Sequence, residues 1–136
     1  MTDTTIRKSV FLATTKVNVW RHLTDAKLLG KWFHPADADL QEGKDFTLVS
    51  QKDGDRMCWG SVQKASPHDY LKWAFTVGPL NGVMTTVEWT LESLAGGTRL
   101  SLVHAGLPEG GDSFGLLNAL DKGWHGFLFN LHNLED

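Results

Sequence analysis

The C-terminal segment, residues 113–135, carries apolar side chains at steps of three and four residues. This spacing places them on one face of an α-helix and predicts a single long amphipathic helix, capped by Asp112 or Ser113. At ~1.5 Å per residue such a helix is roughly 33 Å long, so it needs a broad apolar surface to cover. The predicted apolar stripe consists of Leu117, Leu120, Trp124, Leu128 and Leu131, widened by Phe127 and Leu134.

The middle of the chain alternates between apolar and polar residues, which is typical of β-strands with one buried face. Asp53-Gly54, Asn81-Gly82 and Gly96-Gly97 separate the alternating segments, and such pairs favour tight turns between antiparallel strands. Consecutive strands joined in this way form an antiparallel meander. The predicted strands cover residues 6–13, 46–51, 57–65, 70–77, 83–92 and 98–104.

Two short helices are predicted between the first and second strands. Thr14 or Thr15 can cap the first, because a threonine hydroxyl accepts a hydrogen bond from a free backbone N–H. Asp25 can cap the second, and Pro35 disfavours helix at the residue before it. The whole order predicts a single domain, residues 1–136, with an α+β fold in which a curved antiparallel sheet lies against the long helix.

Period-two alternation sorts each strand into an inward and an outward face. Val87, Trp89 and Leu91 share one predicted inward face, whereas Trp59 and Val62 leave the third strand ambiguous. A ligand cavity between the sheet and the long helix would be lined by inward side chains and by the apolar faces of the helices. The candidate ligand-binding residues are Trp32, Phe46, Leu48, Trp73, Phe75, Val87, Trp89, Leu102, His104, Leu120, Trp124 and Leu128.

Two features of these faces allow more than one interpretation. His104 follows Leu100 and Leu102 on an apolar face. There it is either a core histidine hydrogen-bonded to a neighbour or a polar anchor for a ligand. The six tryptophans are spread through the chain, and they either fill the core or line a cavity for a flat, apolar molecule.

Composition and charge narrow the classes of function. The chain has 136 residues and a net charge of −3 without a large basic cluster, so nucleic acid is not an expected partner. The single cysteine, Cys58, cannot form an internal disulfide, which favours a reducing compartment. No apolar stretch approaches ~20 residues and the N-terminus has no signal-peptide pattern. We therefore expect no membrane span and a cytoplasmic location.

The sequence contains no familiar catalytic or cofactor-binding pattern. It has no nucleophile elbow, no phosphate-binding glycine loop and no dinucleotide fingerprint. The histidines lack the spacing of a metal site, and Cys58 has no partner thiol. We therefore expect no metal, no cofactor and no catalytic residue.

Three segments resemble one protein family. Residues 19–33 (VWRHLTDAKLLGKWF) resemble the start of the SRPBCC, or START-like, superfamily. More narrowly, they resemble its branch of homologues of the activator of the heat-shock-protein-90 ATPase. Residues 87–108 (VEWTLESLAGGTRLSLVHAGLP) and 123–131 (GWHGFLFNL) resemble the same branch in order and spacing. The resemblance covers essentially the whole chain.

The resemblance implies a helix-grip fold, in which a curved antiparallel sheet wraps around the long C-terminal helix and leaves a cavity between them. Members of the superfamily bind lipids, plant hormones or polyketides, and a few act as cyclases or aromatases. The branch takes its name from a eukaryotic co-chaperone that stimulates the ATPase activity of a chaperone. The resemblance brings no catalytic motif to this chain.

Three hypotheses of function follow. The leading one is non-catalytic binding of a small hydrophobic or aromatic molecule in the cavity between the sheet and the C-terminal helix. The first alternative is a protein-interaction module that modulates a chaperone ATPase in a stress response, which requires an exposed apolar patch. The second alternative is an enzyme of the cyclase or hydrolase type, which requires polar groups that converge inside the pocket. The sequence does not give the oligomeric state.

Overall fold

The computed structural model describes residues 4–109 and 113–134, and in these ranges six strands form one antiparallel sheet that packs with three α-helices. A 3₁₀ turn, Gly78–Leu80, joins the fourth strand to the fifth. In chain order the elements are β1 (Ile6–Leu12), α1 (Lys16–Thr24), α2 (Ala26–Trp32), β2 (Asp45–Val49), β3 (Arg56–Ser66), β4 (Tyr70–Val77), β5 (Thr85–Leu94), β6 (Gly97–Ala105) and α3 (Phe114–His132).

The strands β2 to β6 follow one another across the sheet as a meander, and β1 pairs with β6 at the far edge. β1 and β2 are therefore the two edge strands, although only α1 and α2 separate them in the sequence. The two short helices carry the chain from one edge of the sheet to the other. Ile6 pairs with His104 and Leu12 with Thr98, so β1 supports the full length of the strand that carries the buried histidine.

The side chains predicted to cap the short helices do so. Thr15 Oγ1 accepts a hydrogen bond from the backbone N–H of Asn18 at 3.2 Å, at the start of α1. The Asp25 carboxylate accepts two backbone N–H groups in the first turn of α2. α2 ends at Trp32, before Pro35, as the sequence predicts. Both caps satisfy N–H groups that a helix start would otherwise leave unpaired.

The inward faces predicted from alternation are buried and form one core with the helices. In β6, Leu100, Leu102 and His104 are at most 1% exposed, while Arg99 and Ser101, on the opposite face, remain partly exposed. The apolar stripe of α3 meets this face from the opposite side, and its buried members are Trp124, Leu128 and Leu131.

β3 is the strand for which the sequence did not show which face is buried. The structure buries Cys58 and Val62 and leaves Trp59 partly exposed. Between them, Gly60 lies where two strands approach closely, since a Cβ atom there would be 1.8 Å from the carbonyl oxygen of Ala74 in β4. Only glycine fits at this position, because a backbone oxygen within a ladder cannot move aside.

Several predicted boundaries differ from the structure by one to three residues, among them those of α3 and β5. α3 ends at His132, and Ser113 occupies the cap position without a side-chain hydrogen bond to the helix. Asp112 and residue 135 lie outside the described residues. The strand predicted from residue 83 begins at Thr85, because the 3₁₀ turn and Asn81, with a φ of 52°, come first. The connection at Asn81 is therefore longer than a two-residue hairpin turn.

The predicted α+β, helix-grip architecture is confirmed: a curved antiparallel sheet packs on one face against a long C-terminal helix. The described part of the chain has no helix with both the length and the apolar character to cross a bilayer.

Candidate functional site

Aromatic rings fill the space between the middle of α3 and the sheet. Trp73 and Trp89 are fully buried, and Trp124 is 3% exposed. Trp89 meets Trp124 edge to face at 5.6 Å between ring centroids, and it meets Trp73 in the same way at 5.5 Å. Trp32 adds a third edge-to-face contact to Trp89 at 5.9 Å. Rings at these separations are in contact, so the centre of the interface is a packed aromatic core.

A chain of hydrogen bonds runs through this core from α3 to the sheet. The Trp124 Nε1–H donates to His104 Nδ1 at 3.0 Å. Because an indole is only a donor, Nδ1 carries no proton and the imidazole is the neutral Nε2–H tautomer. Nε2–H then donates to Thr85 Oγ1 at 2.7 Å, and the Thr85 hydroxyl donates to the Phe75 carbonyl at 2.6 Å. Both nitrogens of His104 are thus occupied within the protein.

Burial lowers the pKa of His104 to about 4. A cationic ring would lose its hydration in this core, and it would point a second N–H at the N–H of Trp124. His104 is therefore neutral at physiological pH, where it joins α3 to the sheet as a hydrogen-bond acceptor.

Two other indoles of the core lack a partner of this kind. The Nε1 atoms of Trp73 and Trp89 are buried and have no hydrogen-bond acceptor among the described residues. An unsatisfied buried donor costs about 1–3 kcal/mol. Both rings make edge-to-face contacts with aromatic neighbours, and such contacts offset part of that cost.

Open space lies instead beside the N-terminal half of α3. A cleft of about 260 Å³ runs between this half of the helix, the residues that follow α2, and the neighbouring ends of β3 and β4. Its volume is slightly below the usual range of sites for small molecules. We call it the α3 cleft, and its wall consists of Phe33, His34, Met57, Cys58, Phe75, Val77, Pro79, Leu116, Ala119, Leu120, Gly123, Trp124 and Phe127.

The wall of the α3 cleft is apolar and uncharged. Burial raises the pKa of the Cys58 thiol to about 12, so it stays protonated. His34 is half-buried, and burial lowers its pKa below the usual value, so its ring is neutral at physiological pH. The ring centroid of His34 lies 4.8 Å from that of Phe33 and 5.3 Å from that of Phe127. The cleft therefore suits an uncharged molecule with aromatic or aliphatic surface.

The structure brings together only part of the predicted site. Phe75, Leu120 and Trp124 line the α3 cleft. Leu128 is buried under α3 and borders a different depression. The remaining predicted residues are all buried in the core and do not line the cleft: Trp32, Phe46, Leu48, Trp73, Val87, Trp89, Leu102 and His104.

Most of the cleft wall was missing from the predicted set. Alternation places Val77 on the same face as Phe75, but it does not show which inward residues border open space. The faces of the strand that carries Cys58 were ambiguous in the sequence. His34 lies in the loop after α2, where no periodicity exists to place it. Phe127 and Gly123 do carry a signal. Phe127 lies three residues after Trp124 and Gly123 lies four residues before Phe127, and these spacings place neighbours on one side of a helix.

A second depression, of about 320 Å³, lies between β1 and the C-terminal half of α3. Phe11 and Phe129 border it and are 58% and 62% exposed. The His132 Nδ1–H donates to the Phe11 carbonyl at 2.9 Å, which joins the end of α3 to the edge strand. We call it the β1–α3 groove, and its lining is Lys8, Ser9, Val10, Phe11, His125, Leu128, Phe129 and His132.

Within residues 4–109 and 113–134, no three His, Cys, Asp or Glu side chains come together in a way that could hold a metal ion.

We expect His104 to make stability depend on pH between 6.5 and about 4. The unfolded chain binds a proton on this residue near pH ~6.5, whereas the folded protein does so only near 4. The contribution of His104 to the free energy of unfolding is therefore complete above pH 6.5 and falls by roughly 3 kcal/mol as the pH drops to 4.

Urea unfolding at pH 7, 6, 5 and 4 measures this contribution. Between pH 7 and pH 4, the free energy of unfolding of the unmodified protein should include this fall of roughly 3 kcal/mol. The free energy of unfolding of His104→Gln should not, because glutamine cannot titrate. His125→Gln removes an exposed histidine of α3 and should keep the pH dependence of the unmodified protein. Equal pH dependence in the unmodified protein and His104→Gln would show that folding does not lower the pKa of His104.

One protein-family model matches most of the chain. The model of the family described as Activator of Hsp90 ATPase homolog 1-like protein matches residues 13–134. No curated protein sequence matches the chain.

Solved structures share the fold. DynU16, from the dynemicin biosynthetic locus, is 26% identical with a TM-score of 0.78, and the match covers 96% of this chain and 46% of DynU16. This chain thus spans less than half the length of DynU16. CalU16 from Micromonospora echinospora is 26% identical with a TM-score of 0.72, and the match covers 93% of this chain and 71% of CalU16. The Aha1 dimer from Colwellia psychrerythraea is 18% identical with a TM-score of 0.78, and the match covers 95% of this chain and 93% of that one.

The family match runs from the residue after β1 through the whole of α3, and the structure has the fold that the sequence resemblance implies. The chain therefore belongs to the Activator of Hsp90 ATPase homolog 1-like family of the SRPBCC superfamily.

Proposed function

We propose that the protein binds a small, uncharged hydrophobic or aromatic molecule in the α3 cleft and does not catalyse a reaction on it. The observation that carries this proposal is the wall of the cleft: an open space of about 260 Å³ with aromatic rings along one side and no charged side chain. Pockets of this kind bind through buried apolar area, with few polar groups to fix orientation.

The aromatic side of the cleft suits a flat ligand. Phe33 meets Phe127 edge to face at 4.5 Å and lies 5.3 Å from Trp124. The three rings form one continuous surface that is already held in place by these contacts. A ligand that buries about 200 Å² of apolar surface there gains roughly 5 kcal/mol before the cost of association, at about 25 cal/mol per Å². We therefore expect dissociation constants in the millimolar range, or just below it, for simple aromatic probes.

The chemistry of the wall favours binding over catalysis. Acid–base or nucleophilic catalysis needs a titratable pair or an activated nucleophile within hydrogen-bond reach. Cys58 has a pKa of about 12 and is therefore not a thiolate at neutral pH. His34 is the only histidine of the wall, burial lowers its pKa, and no carboxylate joins it there.

One relative adds support. DynU16 is a protein of the dynemicin biosynthetic locus. We propose that this chain shares with it only an association with small organic molecules.

We expect Gly123→Leu to block the cleft. Gly123 lines it, and a Cβ atom there would lie 3.9 Å from Phe127 Cε2, an ordinary contact distance. A leucine side chain at this position therefore enters the cleft without disturbing the backbone. Binding of N-phenyl-1-naphthylamine, an uncharged probe whose fluorescence rises in apolar sites, should weaken at least tenfold.

Gly126→Leu is the matched control. Gly126 lies on the same helix and outside the cleft, and nothing is within 4 Å of its Cβ position. Both substitutions gain helix propensity, so neither should lower the thermal stability through the helix itself. Equal affinity of the two variants for the probe would mean that the α3 cleft is not the binding site.

We propose, as a second candidate, that the β1–α3 groove forms a contact with another copy of this chain. The supporting observation is the exposure of Phe11 and Phe129, at 58% and 62%, beside an edge strand. Large side chains exposed together on such a surface are characteristic of interaction sites. The related Aha1 from Colwellia psychrerythraea forms a dimer.

Sedimentation equilibrium tests the second candidate. The unmodified protein should self-associate, and the double variant Phe11→Ser and Phe129→Ser should be monomeric because the apolar contact is gone. Phe114→Ser, which removes another exposed ring at the opposite end of α3, should behave as the unmodified protein. A monomeric unmodified protein at all concentrations would exclude self-association. Stimulation of a chaperone ATPase that only the double variant loses would identify a chaperone as the partner instead.

A further inference from the structure

We infer that His34 determines the specificity of the α3 cleft, and that the ligand is an uncharged aromatic molecule with a hydroxyl or carbonyl group that His34 hydrogen-bonds. This inference rests on the proposed binding function and adds to it a class of ligand and a residue that selects it.

The first step is a comparison of the polar atoms on the wall. Among the residues that line the cleft, side-chain nitrogen or oxygen atoms belong to His34 and Trp124 alone. The Trp124 Nε1–H already donates to His104 within the core. His34 makes no hydrogen bond within the described part of the chain, so both of its ring nitrogens are available to a bound molecule.

The second step is the placement of the imidazole. The ring of His34 meets Phe127 edge to face at 5.3 Å and lies 4.8 Å from Phe33. The backbone on either side is also fixed. Phe33 N–H donates to the Leu29 carbonyl at 2.9 Å, and the Pro35 carbonyl accepts from Val49 N–H at 2.9 Å. A polar group held in this way loses little freedom when it binds.

The third step is the chemistry of a neutral imidazole in an uncharged site. Such a ring offers one donor and one acceptor, which match a hydroxyl group or a carbonyl oxygen. The wall has no lysine or arginine to pair with a carboxylate or sulfonate. An anion would therefore lose its hydration without a compensating charge, so the cleft favours neutral ligands.

The test compares 2-naphthol with naphthalene, which share the same ring system and differ by one hydroxyl group. Affinities are measured by NMR titration of the full chain, which also works for weak ligands. A net hydrogen bond of ordinary strength predicts that 2-naphthol binds about three- to tenfold more tightly than naphthalene. In His34→Leu this ratio should fall to about one, whereas naphthalene should bind nearly as before.

Two further variants separate a hydrogen bond from a general effect on packing. His34→Gln retains a donor and an acceptor and should restore part of the preference for 2-naphthol. His125→Leu changes an exposed histidine outside the cleft and should leave the ratio unchanged. Binding of 2-naphthalenesulfonate should be at least tenfold weaker than binding of 2-naphthol.

The inference and the proposed function fail in different ways. Equal binding of 2-naphthol and naphthalene to the unmodified protein, or an unchanged ratio in His34→Leu, would overturn the role of His34 and leave the cleft as an apolar site. Tight binding of 2-naphthalenesulfonate would overturn the selection for neutral ligands. Failure of both naphthalene and 2-naphthol to bind would overturn the proposed function itself.

Discussion

The hydrogen bond between Trp124 and His104 is the contact on which the rest of the molecule depends. It joins the long helix to the middle of the sheet inside a core where water cannot replace it. The indole of Trp124 contacts Trp89 in the core and also borders the α3 cleft. One side chain therefore completes the packed interior and supplies a wall of the open space. Both roles depend on a neutral His104, because only the neutral ring accepts the hydrogen bond that holds Trp124 in place.

The packing of the tryptophans decides where open space remains beside α3. In a helix-grip fold the space beneath the helix is the natural cavity, but here tryptophans occupy it, at the cost of two unsatisfied indole N–H groups. The open volume lies instead beside the N-terminal half of α3, where Gly123, which has no side chain, leaves room next to the helix. The α3 cleft and the aromatic core are thus separate regions that meet at Phe75 and Trp124.

The fold could be predicted from the sequence because helix caps and alternating apolar residues are local signals that recur along the chain. Thr15 and Asp25 capped the helices as predicted, and alternation placed Trp89 and Leu102 in the core. The site was harder, because alternation predicts only that a side chain points inward. Whether an inward Trp73 borders a cavity or fills it depends on the neighbouring rings across the sheet. His34 has no periodic context at all, and its position follows from the tertiary contacts of Phe33 and Phe127.

Intermolecular NOEs from bound naphthalene test the central claim, which is that the ligand occupies the cleft and leaves the aromatic core closed. We predict NOEs to the methyl groups of Met57, Leu116 and Leu120, which line the cleft. NOEs to the methyl groups of Leu48, Val87 and Leu102, which are at most 1% exposed in the core, would contradict it. They would mean that the aromatic core opens to admit the ligand.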